Sequence, residues 1–90
     1  MIVRVMGDSQ YELPDQMVEE LNRIDNEIVR MIEEGNEEGF RRELKRLIST
    51  VKEKGTPVRD IVSSDIIVPP EDLSFEEAKK IFRGDGIIPG

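Results

Sequence analysis

Ninety residues with 20 acids, 13 bases and no histidine carry a formal charge of −7, and a chain this short has apolar material for a single core and hence a single domain, residues 1–90. The absence of cysteine excludes disulfides and thiolate metal sites, and the absence of histidine removes the commonest general base near neutral pH. The negative charge opposes attraction to phosphate backbones and anionic lipid, so neither nucleic-acid binding nor direct membrane insertion is expected.

Along the chain, no apolar run approaches the ~20 residues needed to cross a bilayer, and the first residues lack a basic stretch followed by an apolar one; a cytoplasmic protein is expected. Ile2-Val3-Arg4-Val5-Met6 is β-branched and apolar, and the turn cluster Gly7-Asp8-Ser9 separates it from Gln10-Tyr11-Glu12-Leu13. This spacing predicts a β-hairpin with Val3 and Val5 on one face and Arg4 on the other. Pro14 is placed to open a helix that runs to about Glu34, with Met17, Leu21, Ile24, Ile28 and Met31 forming an apolar stripe widened by Val18 and Ile32. Gly35-Asn36 breaks the chain, Gly35 suiting a left-handed helix end and Asn36 the cap of the next helix.

The second helix, about Glu37 to Lys54, carries Phe40, Leu44, Leu47, Ile48 and Val51 on one side, and Gly55-Thr56-Pro57 stops it. So short a link predicts two antiparallel helices sharing a core. Val58, Ile61 and Val62 form a pattern too short to classify. Ile66-Ile67-Val68 reads as a strand ended by Pro69-Pro70, neither of which can donate to a ladder. Ser74 and Glu77 have capping-box spacing, Leu73 and Ala78 form a staple across it, and a short helix follows from Phe75 to Phe82 with Ala78, Ile81 and Phe82 inward. Ile87-Ile88 is expected to dock beside the sheet. The expected fold is therefore α+β: an N-terminal β-hairpin and one or two later strands in a small sheet, packed against an antiparallel helical hairpin, with a short third helix near the C-terminus.

Few residues offer chemistry. The neighbouring carboxylates Glu19-Glu20, Glu33-Glu34, Glu37-Glu38 and Glu76-Glu77 point about 100° apart on a helix and make poor catalytic pairs. Asp65, Glu71, Asp72 and Asp85 are the candidates for a carboxylate-lined pocket, but they lack the alternating spacing of a calcium loop. Ser63-Ser64 has no histidine to take a proton, and Gly84-Asp85-Gly86 reads as a turn because no helix or lysine follows to hold a phosphate. No catalytic, cofactor-binding or metal-binding residue is expected, and the chain reads as a binding protein rather than an enzyme.

The charge pattern is more informative. Residues 14–34 hold seven acids and two bases, whereas residues 36–54 hold six bases and four acids. Arg41, Lys45 and Lys52 fall on one flank of the second helix with Arg42 and Arg46 further round, a basic strip that either pairs with acids of the first helix or docks an acidic helical partner. A spare apolar stripe or an edge strand would instead support a homodimer.

The opening Met1-Ile2-Val3-Arg4-Val5-Met6-Gly7, then Gln10-Tyr11, Leu21-Asn22-Arg23-Ile24-Asp25, Ser64 to Pro70, and the ending Asp85-Gly86-Ile87-Ile88-Pro89-Gly90 together resemble the PspA-associated protein family, PspAA. The resemblance spans essentially the whole chain. It implies a small cytoplasmic protein encoded beside PspA, the coiled-coil membrane-remodelling protein of the phage-shock envelope-stress response, and acting with it as an adaptor or regulator. A PspA-like coiled coil is thus the expected partner; the resemblance supplies no site residues.

Overall fold

A computed structural model of the chain describes residues 1–59 and 61–82. Its order is β1 (Ile2–Val5), β2 (Gln10–Glu12), α1 (Met17–Glu33), α2 (Glu37–Lys54), β3 (Thr56–Pro57), β4 (Ile66–Val68) and α3 (Phe75–Ile81). The four strands form one mixed sheet in the order β3-β2-β1-β4, with β4 parallel to β1 and the other pairs antiparallel. The α+β architecture read from the sequence is the architecture found.

The hairpin register pairs Val3 with Tyr11 and Arg4 with Gln10. Alternation then sends Val3, Val5, Tyr11, Ile66 and Val68 into the core, while Arg4 and Ile67, paired across β1 and β4, face the other way. Gly7, at φ 81°, takes the left-handed conformation that the turn between β1 and β2 requires.

The two amphipathic helices cover the inner face of the sheet. Leu21, Ile24 and Ile28 of α1 meet Phe40, Leu44, Leu47 and Val51 of α2 in a continuous core, and every one of them is almost wholly buried. Fully burying one such side chain contributes about 1.5–3 kcal/mol, so these stripes fix the helices against each other. At the corner between them the Asn36 side chain accepts the Gly39 N–H at 2.9 Å, and Asn36 N–H donates to the Met31 carbonyl at 2.8 Å across Gly35, whose φ is 71°.

Two elements and the facing of one residue differ from the sequence reading. Helix α1 starts at Met17 rather than at Pro14, because Pro14–Met17 and Asp15–Val18 close turns first through Met17 N–H to the Pro14 carbonyl at 3.0 Å and Val18 N–H to the Asp15 carbonyl at 3.1 Å. Thr56-Pro57 not only stops α2 but also forms β3, an edge position that tolerates a proline. Ile81 is exposed at 45%; Ala78 and Phe82, one turn apart, take the inward face, and Ile81 sits a quarter turn away from it. Ser74 caps α3, accepting the Glu77 N–H at 3.1 Å and donating its hydroxyl to the Glu77 carboxylate at 3.0 Å. Phe40 receives Phe75 and Phe82 edge-on, with ring centroids 5.6 and 6.3 Å away. Ile87-Ile88 and the Gly84-Asp85-Gly86 turn lie outside the described residues.

Between β3 and β4 the chain crosses the outer face of the sheet. Gln10, buried at an outward strand position, ties this strap down: its Nε2 donates to the Val62 carbonyl at 2.6 Å and to Ser64 Oγ at 2.7 Å, while its Oε1 accepts the Val62 N–H at 3.2 Å. Three of the four hydrogen bonds open to one amide side chain are thus directed at one loop.

Candidate functional site

Helix α2 turns its apolar side into the core and leaves its cations on the outside. Arg42, Lys45, Arg46 and Lys52 are exposed and Arg41 is half-buried. The acids that meet them come from three places. Arg42 Nε and an Arg46 guanidinium nitrogen share the carboxylate of Glu43, itself buried, at 3.4 and 3.2 Å. Lys45 faces the Glu71 carboxylate at 3.7 Å, and Arg41 donates to the Glu71 carbonyl at 3.2 Å while its guanidinium lies 5.3 Å from the centre of the Phe40 ring. Lys52 makes the shortest pair, 2.6 Å to Asp8 in the turn between β1 and β2.

Four of the five cations are therefore met by three carboxylates, drawn from α2 itself, the turn before α3, and the β1–β2 turn, and Arg41 by a backbone carbonyl. The helix divides them into two groups: Arg41, Lys45 and Lys52 lean toward the end of the sheet, and Arg42 and Arg46 lean toward α1. Arg46 also lines a groove of about 200 Å³ with Glu20, Arg23, Ile24 and Glu27 of α1. The Lys52 ammonium, with the Tyr11 hydroxyl 3.0 Å away as a second donor, holds the Asp8 carboxyl below its ordinary value, and Asp8 in turn raises Lys52. Both groups stay charged at neutral pH.

The apolar stripes of both long helices are consumed by the core. A partner reaching these helices meets their polar faces, and a homodimer through a spare helical stripe has no stripe to use. Among the described residues Asp65 and Glu71 do not converge: the Asp65 carboxylate accepts the Ile2 N–H at 2.7 Å at the end of β1, whereas Glu71 faces α2. Among the described residues no group of three or more acids is placed to hold a metal ion. Asp85 lies outside them.

Two features escape the sequence reading. Asp25, within the apolar stripe of α1, is fully buried and partnered; its place four residues after Leu21 and three before Ile28 is the signal that it faces inward. The second is a cavity of about 250 Å³ on the outer face of the sheet, lined by Arg4, Asp8, Ser9, Gln10, Val58, Arg59 and Ile61. Its signal is the outward Arg4 alone.

The family model described as PspAA, PspA-Associated protein, matches residues 1–90. The chain belongs to the PspA-associated protein family. Membership links it to the PspA system. Comparison with curated proteins and with solved structures returned no significant match. Among the described residues no helix is long and apolar enough to cross a membrane.

Proposed function

We propose that this PspA-associated protein is a non-enzymatic adaptor or regulator of a PspA-type envelope-stress response, working in the cytoplasm and binding a PspA-like coiled coil through the polar face of α2. The observation that carries this reading is the set of five cations on the outside of a rigidly packed helix, four of them facing three carboxylates and Arg41 only a backbone carbonyl. Long coiled coils present rows of acidic and basic residues beside their apolar seam. A helix whose spare charge is positive, within a chain of net charge −7, gives orientation as well as attraction: the basic face is drawn to an acidic row while the acidic α1 is repelled by it. Arg42, Arg46 and Lys45 are the residues best exposed for contact, and Arg41 and Lys52 frame them.

Isothermal calorimetry against the neighbouring PspA protein tests this reading. Binding that weakens from low to moderate salt, and that weakens further in Arg42→Glu/Arg46→Glu, is expected. No association at either salt concentration would contradict direct binding.

A further inference from the structure

The side of the sheet that faces away from the helices is unlike the rest of the surface. Ile61 is 89% exposed and Ile67 53%, and Met6 and Val62 are exposed beside them. All four belong to one face: Ile67 pairs with outward Arg4 across the β1–β4 ladder, Met6 continues β1 in phase with Arg4, and the strap carrying Ile61 and Val62 is tied over Gln10, the residue paired with Arg4 on the other side. Exposed apolar residues scattered singly need no explanation, but a contiguous set around two cations does.

Those cations are Arg4 and Arg59, which line the same cavity of about 250 Å³. Among the described residues neither has an ion pair, whereas every candidate cation of α2 has a polar neighbour. Among the described residues, Asp8, which lines the same cavity, is engaged with Lys52 and Tyr11, and Asp65 with the Ile2 N–H. Glu12 remains on this face, at the far end of the hairpin ladder opposite Ile2. Among the described residues, the centre of the face thus carries apolar side chains around two arginines without an ion pair, on a protein that is acidic overall.

We propose that the outer face of the sheet is a second docking surface, which receives an acidic amphipathic helix of a partner protein: the carboxylates of that helix meet Arg4 and Arg59, and its apolar side chains cover Met6, Ile61, Val62 and Ile67. Because the strap crosses this face over Gln10, the occupant lies against Ile61 and Val62 of the strap and against Arg4 and Ile67 beside it, rather than across all four strands. The charge selects an acidic occupant, and arginine is the cation best suited to stay in a partly desolvated interface. A second copy of this chain does not supply that helix. Its acidic helix, α1, has Leu21, Ile24, Ile28 and Ile32 sealed in its own core and offers carboxylates without the apolar stripe. Because this surface lies on the far side of the sheet from α2, its success or failure is separate from that of the coiled-coil reading.

The test is an NMR titration of the isotopically labelled full chain with a synthetic helical peptide of leucine and glutamate at amphipathic spacing, and with the same peptide carrying lysine for glutamate. The expected result is amide shifts at Arg4, Ile61, Val62 and Ile67 with the glutamate peptide alone. Affinity should fall at least tenfold in Arg4→Glu/Arg59→Glu and stay unchanged in Arg42→Glu/Arg46→Glu, with circular dichroism showing both variants folded. Four results overturn the proposal: shifts confined to α2, equal response to the lysine peptide, insensitivity to Arg4→Glu/Arg59→Glu, or no binding because the face is already covered by residues 83–90 or by a second copy detected in light scattering.

Discussion

The two outward faces of this small protein solve opposite problems. On the helix side, α2 spends its apolar residues on the core and meets solvent with cations that neighbouring carboxylates hold in place. On the sheet side, the apolar residues are the ones exposed, and the two arginines among them have no ion pair among the described residues. A face of partly compensated charge steers and orients a partner, with weak contributions from each pair. A face of apolar side chains binds by removing area from water, about 25 cal/mol per Å² before the costs of association. The same 90-residue chain therefore carries one surface whose binding should depend on salt and another whose binding should depend on burial.

The comparison breaks most completely if the layer between the faces is removed. Phe40, wholly buried and touching both Phe75 and Phe82, joins α2 to α3; Phe40→Ala should cost about 3–5 kcal/mol and abolish both surfaces together, seen as a large drop in urea midpoint. Asp25→Ala removes a partnered carboxylate from the core and should cost at least about 1–3 kcal/mol in the same measurement.

Gln10→Ala separates the faces. It frees the strap by deleting three hydrogen bonds, at about 1–3 kcal/mol. Hydrogen exchange should accelerate at Val62, while amides of α2 keep their protection relative to global stability.

Smaller still is the effect of acid on the Lys52–Asp8 pair. The Asp8 carboxyl is depressed below 3.8 and the Lys52 ammonium is raised above 10.5, so the stabilisation from the pair is fully present between those values. It is lost as pH falls through the lower folded value of Asp8 or rises through the raised folded value of Lys52. Thermal melts should show wild type more stable than Asp8→Asn near pH 7, with the two converging as pH falls through the lowered folded value of Asp8 and the wild-type carboxyl takes up its proton.

These variants also mark what was legible in the sequence. The long helices were plain because Leu21, Ile24 and Ile28, and then Leu44, Leu47 and Val51, repeat at helical spacing over several turns. Gly35-Asn36 and Ser74-Glu77 were plain because the Asn36 and Ser74 side chains cap backbone N–H groups three residues on and Gly35 supplies the left-handed turn between the helices. Strand β3 was hidden, being two residues long with a proline, and it exists because β2 offers it a ladder. The strap was hidden for a similar reason: Ile61 and Val62 face outward, follow no period, and are positioned by Gln10, some fifty residues earlier. The five cations of α2 were visible, yet Asp8 and Glu71, which meet Lys52 and Lys45, are brought in by tertiary folding. Asp25 read as one more acid of an acidic helix until packing placed it inside.

The central claim is that recognition of PspA uses the polar side of α2 and leaves the sheet free. Amide chemical-shift mapping of the full chain bound to its PspA neighbour tests it most directly. Shifts concentrated over Arg41 to Lys52, with Arg4, Ile61 and Ile67 unmoved, are the predicted result; shifts centred on the sheet face with α2 unmoved would contradict it.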